Sequence, residues 1–196
     1  MGIRDVLQFP DPRLRRRSEP IEKITDELRQ LAADMLETMY DEPGIGLAAP
    51  QVGASVRLVV LDTQWTADDA DRKPCVFVNP ELTERSGELI WNEGCLSVPD
   101  FSADVKRAER VVLRALDLEG REVIETASGL RAVCFQHEVD HLDGVLFIDR
   151  ISRLKRNLYV GKRKKLLEEG GERWTSSGER PPVPIGTRRG TTGIKL

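Results

Sequence analysis

Histidine is almost absent from this chain: 196 residues carry two of them, His137 and His141. Any chemistry that needs an imidazole must run through that pair. Cysteine is scarce as well. Cys75, Cys95 and Cys134 are an odd number set far apart, which argues against a disulfide framework and for a reducing compartment. No apolar run approaches the ~20 residues that a membrane-crossing helix requires. An excess of one charge is missing too: 30 Lys and Arg against 33 Asp and Glu leave a formal net charge of -3. That balance gives no overall bias toward nucleic acid or a membrane surface.

Targeting signals are equally hard to find. Arg15-Arg16-Arg17 invites comparison with a twin-arginine signal, but Ser18 to Arg29 is charged and has no apolar core. Met1-Gly2 suggests myristoylation, yet Val6 stands where Ser or Thr is required. The expectation is a soluble cytoplasmic protein with no internal repeat. An apolar fraction of 39% and a charged fraction of 32% fit a globular chain. Its length suits one domain, assigned to residues 1–169, followed by a tail over residues 170–196. The tail is rich in Gly, Pro, Ser, Thr and Arg and reads as poorly ordered, although Trp174 and Pro181-Pro182-Val183-Pro184 offer packing groups.

Along the domain, Leu28, Leu31, Ala32, Met35 and Met39 recur at helical spacing, predicting a helix over Ile24 to Tyr40 capped by Thr25 or Asp26. Pro43-Gly44 ends it and opens a glycine-rich loop, Gly44 to Gln51. Val56 to Leu61 reads as a buried strand, and a polar connection runs from Thr63 to Lys73. Further strands are expected at Cys75 to Val78 and Glu88 to Trp91. Val111 to Leu118 and Arg121 to Thr126 flank Glu119-Gly120 as a hairpin. Ser128 then caps a helix with Leu130, Val133, Cys134, His137 and His141 on its inner face, ended by Gly144. Strands in the middle, with one helix early and others late, predict an α+β fold. Antiparallel or mixed sheets would surround the central histidine-bearing helix.

Both histidines fall in Gln136-His137-Glu138-Val139-Asp140-His141. Their i, i+4 spacing stacks the imidazoles on one helix face, where they can close on a single metal ion. Glu138 is left free to move a proton. A catalytic site of this kind needs a third protein ligand. Metzincin proteases use a histidine three residues after a glycine, but here Gly144 is followed at that position by Phe147. Thermolysin-like proteases use a glutamate from a following helix. The nearest, Glu168 and Glu169, lie beyond a basic run and beside a Gly-Gly pair. Two thiolates remain. Cys134 sits one turn before His137, where three ligands from one straight helix would crowd one side of the metal. Cys95 lies in Glu93-Gly94-Cys95-Leu96-Ser97 after a strand, where Gly94 permits close backbone approach. The residues favour Cys95 and leave Cys134 open.

Three segments taken together, Gly44-Ile45-Gly46-Leu47-Ala48-Ala49-Pro50-Gln51, Glu93 to Ser97, and Gln136 to His141, resemble the signature motifs of peptide deformylases in order and separation. The likeness extends over roughly Val6 to Leu167. It implies hydrolytic removal of the formyl group from the N-terminal methionine of new polypeptides, releasing formate. It implies Cys95, His137 and His141 as ligands of one divalent metal, Fe(II) natively, with Zn or Ni also accepted. Glu138 would act as general base and acid. The Gln51 side-chain amide and the Leu96 backbone N–H would serve the developing oxyanion. Backbone groups of Ile45 and Gly46 would pair with an extended peptide. The methionine side chain would meet Ile45, Trp91, Leu130, Val133 and Cys134. Ser102 stands where bacterial relatives often place a substrate-contacting arginine. A metal-dependent peptidase or other amide hydrolase using the same helix is the alternative, and a catalytically dead relative acting as a binding protein is a second.

From Arg150 to Lys165 there are eight basic residues and no acidic one. Ile151, Leu154 and Leu158 give the segment an apolar stripe, so a basic C-terminal helix is predicted. Since N-formyl-methionyl peptides emerge from ribosomes, that helix is a candidate ribosome-docking element acting through phosphate contacts. No membrane or sequence-specific nucleic-acid partner is expected.

Overall fold

The strand Leu58–Leu61 explains the layering, because all four of its residues are buried. Leu58 and Val60 face one core cluster while Val59 and Leu61 face another, as the two-residue period of a strand requires. A strand with cover on both faces reads as a continuous apolar run. In the computed structural model, which describes residues 2–65 and 72–170, this strand is β2.

Helix α1 spans Asp26–Asp41; Thr25 caps it by accepting from the Leu28 N–H at 3.3 Å. Its buried residues Leu28, Ala32, Met35 and Met39 cover one face of a five-stranded sheet. The sheet runs in the order β1-β2-β3-β6-β7, with β1 Gly46–Ala48, β3 Cys75–Ser86, β6 Arg110–Leu116 and β7 Glu122–Ser128. Helix α2, Gly129–Leu142, covers the other face. A separate hairpin pairs β4, Leu89–Cys95, with β5, Val98–Arg107. It joins Leu14, Leu146, Phe147, Ile148 and Tyr159 in a third cluster. Helix α3, Arg153–Glu168, closes the described chain. Every strand pairing in both sheets is antiparallel, so the architecture is the expected α+β arrangement around α2.

Several elements differ from the sequence reading, each for a local reason. The glycine-rich loop contains a three-residue strand, β1, too short to show a period. Strand β3 runs eight residues past the expected Val78, through bulges after Val78 and Leu82. Its second half is polar, and Asn79 sits at φ 52°, tied by its side chain to both backbone groups of Ile21 at 2.8 Å. Strand β5 was not expected at all. Its inward residues are Ala103, Val105 and Arg107, and a buried arginine breaks the apolar alternation.

Ser128 occupies the position before α2 but makes no side-chain capping bond, and the helix has no single inner face, because Ala132 to Leu142 are all buried. Gly144 ends the α2 region at φ 74°, where an added Cβ would lie 2.5 Å from the Arg15 carbonyl oxygen. On α3 the apolar stripe points to solvent: Leu154 and Leu158 are 71% and 66% exposed, while Tyr159 and Arg163 face the protein. Of the expected 63–73 connection, residues 66–71 lie outside the described residues, as does the tail beyond Gly170 with its Trp174 and Pro181 to Pro184.

Candidate active site

Helix α2 brings His137 and His141 onto one side, with their Nε2 atoms 3.2 Å apart. The β4–β5 hairpin delivers Cys95, whose Sγ lies 3.2 Å from His141 Nε2. All three donor atoms fall within 4.8 Å of one another, and all three residues are buried. A soft thiolate with two imidazoles is the donor set that Zn, Fe and Ni accept. These residues therefore fit a bound divalent ion. Cys134 is not in this group. Burial pushes its thiol well above the ordinary range, aided by Glu138 and Glu93, so it stays protonated and a poor ligand.

Strand β4 supplies more than a ligand. Residues 91, 93 and 95 share one face of the strand, and Glu93 Oε2 lies 2.9 Å from His137 Nδ1. A proton on Nδ1 leaves Nε2 directed at Cys95 and His141, the orientation a metal ligand needs. Arg107, from β5, grips Glu93 with two bonds, Nε to Oε1 at 2.6 Å and Nη2 to Oε2 at 2.9 Å. Burial drives the Glu93 carboxyl up, but Arg107 and His137 outweigh it and hold it at about 2. For His137, burial lowers the pKa, while Cys95 and Glu93 more than offset this and raise it to about 10. His141 goes the other way, well below its ordinary value, through burial and the neighbouring His137. The metal-free pair thus carries one positive charge, on His137.

Glu138 is fully buried, and among the described residues neither carboxylate oxygen has a hydrogen-bond partner. Burial raises its pKa to about 7, against the pull of His137. An unpartnered carboxylate near neutral pKa is suited to accepting and returning a proton. It packs on Gly46, where a Cβ would lie 2.4 Å from Glu138 Oε1. Gln51 Oε1 accepts from the Ala48 N–H at 2.8 Å, which turns Nε2 toward Ser97 Oγ at 3.2 Å and Cys95 Sγ at 3.8 Å. Leu96 follows Cys95 directly, in the two-residue turn between β4 and β5.

The apolar candidates also come together. Ile45, Val133 and Cys134 are buried in one cluster, and Trp91 and Leu130 pack on it partly exposed. Among the described residues, β1 pairs with β2 alone. Ile45 C=O accepts from the Asp62 N–H at 2.9 Å, and Gly46 pairs with Leu61. Antiparallel ladders alternate, so Gly46 turns its own N–H and C=O to the open edge while the Ile45 carbonyl is already engaged. Ser102 lies exposed on β5, opposite Gly94. Sequence reasoning missed Glu93 as a partner of His137, Arg107 and Asp140 behind it, and Ser97 beside Gln51. The one signal available was the alternation of Trp91, Glu93 and Cys95 along a single strand.

Fold and site together define a class: an α+β protein whose HExxH helix meets a cysteine from a separate hairpin. Comparison with known proteins narrows this. The family model described as polypeptide deformylase matches residues 3–157, and the chain belongs to that family. It is 53% identical over 170 residues to a peptide deformylase of Alkalilimnicola ehrlichii, covering 87% of this chain and 94% of that one. A crystal structure of a peptide deformylase from Legionella pneumophila superposes with a TM-score of 0.80 at 44% identity, covering 88% of this chain and 99% of the other. A Synechococcus elongatus peptide deformylase, solved in complex with actinonin, gives 0.78 at 42% identity, covering 84% and 89%.

Proposed function

We propose that this enzyme hydrolyses the N-formyl group from formyl-methionyl ends of newly made polypeptides, releasing formate. The observation that carries the reading is the convergence of Cys95, His137 and His141 beside an unpartnered Glu138, in a chain of this family. Those three residues would hold one divalent ion, Fe(II) natively, with Zn or Ni accepted by the same donors. When bound, such an ion supplies Lewis acidity, making water more acidic and polarising a carbonyl.

The chain's own groups do the rest. Glu138 takes the proton of the attacking water and returns it to the departing amine. Gln51 Nε2 and the Leu96 N–H donate to the formyl oxygen as it gains negative charge; loss of one such donor costs about 3 kcal/mol of barrier in comparable enzymes. Gly46 pairs with the substrate main chain at the open edge of β1. Ile45, Trp91, Leu130, Val133 and Cys134 receive the methionine side chain.

Residues 1–169 form the catalytic unit and 170–196 an appended tail. Free cysteines at Cys75, Cys95 and Cys134 support a reducing, cytoplasmic setting. Arg153, Lys155, Arg156, Lys162, Lys164 and Lys165 are exposed along α3 and suit docking on ribosomal phosphates. Among the described residues no helix is long and apolar enough to cross a membrane.

Formate release from formyl-Met-Ala-Ser, with none of the corresponding acid from acetyl-Met-Ala-Ser, tests the reading. Equal hydrolysis of both would instead indicate a general amide hydrolase. Loss of ribosome co-sedimentation on truncation before Arg153 tests the docking role.

A further inference from the structure

The ion pairs behind His137 do not stop at Arg107. Arg107 uses Nε and Nη2 on Glu93 and turns Nη1 to Asp140 Oδ2 at 2.6 Å. Asp140 in turn takes Nε and Nη2 of Arg150, one bond to each carboxylate oxygen. Charges alternate along the whole line, from Glu93 through Arg107 and Asp140 to Arg150. The Arg107 side chain is 2% exposed and that of Glu93 0%, whereas Arg150 is 38% exposed and lines a cleft of about 310 Å³ with Arg85, Lys106 and Asp140. The line therefore runs from a buried imidazole to solvent.

Its geometry is a closed loop. His137 and Asp140 stand three residues apart on α2, on neighbouring positions of one face. Glu93 comes from β4 and Arg107 from β5. Arg107 can satisfy Glu93 and Asp140 together only if α2 keeps one rotation against the hairpin. A lysine could not do this, since the planar guanidinium supplies two fixed directions at once. Gln136 ties the same helix to the same hairpin end, through Ala108 N and O, both at 2.9 Å.

We propose that Asp140 and Arg150 are positioning residues for His137, acting through Arg107 and Glu93. Arg150 fixes both oxygens of Asp140, Asp140 fixes the third nitrogen of Arg107, and Arg107 then holds Glu93 against His137 Nδ1. The proposal rests on His137 being a metal ligand.

The test uses Co(II) added to the metal-free full-length protein, reading the visible d–d bands and the affinity by competition with a chelator. Thermal unfolding of each metal-free variant is measured alongside. Asp140→Asn is expected to shift the bands and weaken Co(II) binding about 10-fold, the lower end of the loss seen for outer partners of metal ligands. Arg150→Met should do the same about 3-fold, and Arg150→Lys should recover part of it. Bands and affinity like those of the unaltered protein in both Asp140→Asn and Arg150→Met would overturn the proposal. So would an affinity loss no larger than the loss of folded protein. If Asp140→Asn does not fold, Arg150→Met decides, because its head group is partly exposed. Failure of the unaltered protein to bind Co(II) through a thiolate would instead remove the ligand assignment beneath it.

Discussion

Gly46→Ala separates the position of Glu138 from its presence. A methyl carbon there would lie 2.4 Å from Oε1, 3.0 Å from Cδ and 3.2 Å from Cγ of Glu138. Restoring ordinary contact requires the carboxylate to retreat by about 1 Å. Glu138 is fully buried within a helix whose neighbours are buried too, so that retreat cannot be taken up by solvent. A displacement of about 1 Å in a reacting group costs roughly 100-fold in rate, or about 2.7 kcal/mol of barrier. Overpacking should also lower folding stability by about 1–3 kcal/mol. The three nearest atoms that the new methyl group would meet all belong to the Glu138 side chain, so the Cys95, His137 and His141 set should keep its metal affinity. The assay is formate release from formyl-Met-Ala-Ser at matched metal content, with kcat and KM resolved and thermal unfolding measured in parallel. The expected result is a fall mainly in kcat. A kcat within threefold of the unaltered enzyme would refute the claim that the chemistry depends on where this carboxylate sits.

Two other expectations concern the metal. Cys95→Ala should abolish tight Zn(II) binding, while Cys134→Ala should retain it, because Cys134 stands outside the group of donor atoms that converge; elemental analysis after gel filtration reads the difference, and the reverse pattern would exchange the two roles. Loading should also release protons. His137 stays protonated in the metal-free site up to a pKa of about 10, so below that value affinity for Zn(II) should fall about tenfold per pH unit as the pH drops. Calorimetric titration near neutral pH in two buffers of different ionisation enthalpy counts the protons, and a count of zero would contradict the assignment.

The histidine helix, the Cys95 segment and the β6–β7 hairpin were legible because each carries a local signature: an i, i+4 pair, a glycine beside a cysteine, a turn between alternating runs. Strand β5 was not, because its pattern places Arg107 where an apolar residue would announce a buried position. The same arginine hid the network. Glu93 and Arg107 are 14 residues apart, and only the pairing of β4 with β5 reveals that they meet. On α3 the apolar stripe announced the helix but not its orientation. Leu154 and Leu158 are exposed, and the helix is anchored by Tyr159 and by Arg163, which donates to the Phe9 carbonyl at 3.1 Å and to Gln8 Oε1 at 2.8 Å. Polar anchoring of this kind leaves no hydrophobic period to read.

Strand β4 presents Trp91, Glu93 and Cys95 on one side, and the period of two that unites them also makes them fail together. A one-residue slip of β4 against β5 would not move them by a few ångströms; it would turn all three to the opposite side of the hairpin. The proposed substrate wall, the partner of His137 and the proposed metal ligand would vanish in one event. Point substitutions can weaken this site by degrees, whereas length changes in the Leu96–Ser97 turn, which sets the register of β4 against β5, place the whole of it at risk. That turn should tolerate changes of residue far better than changes of number.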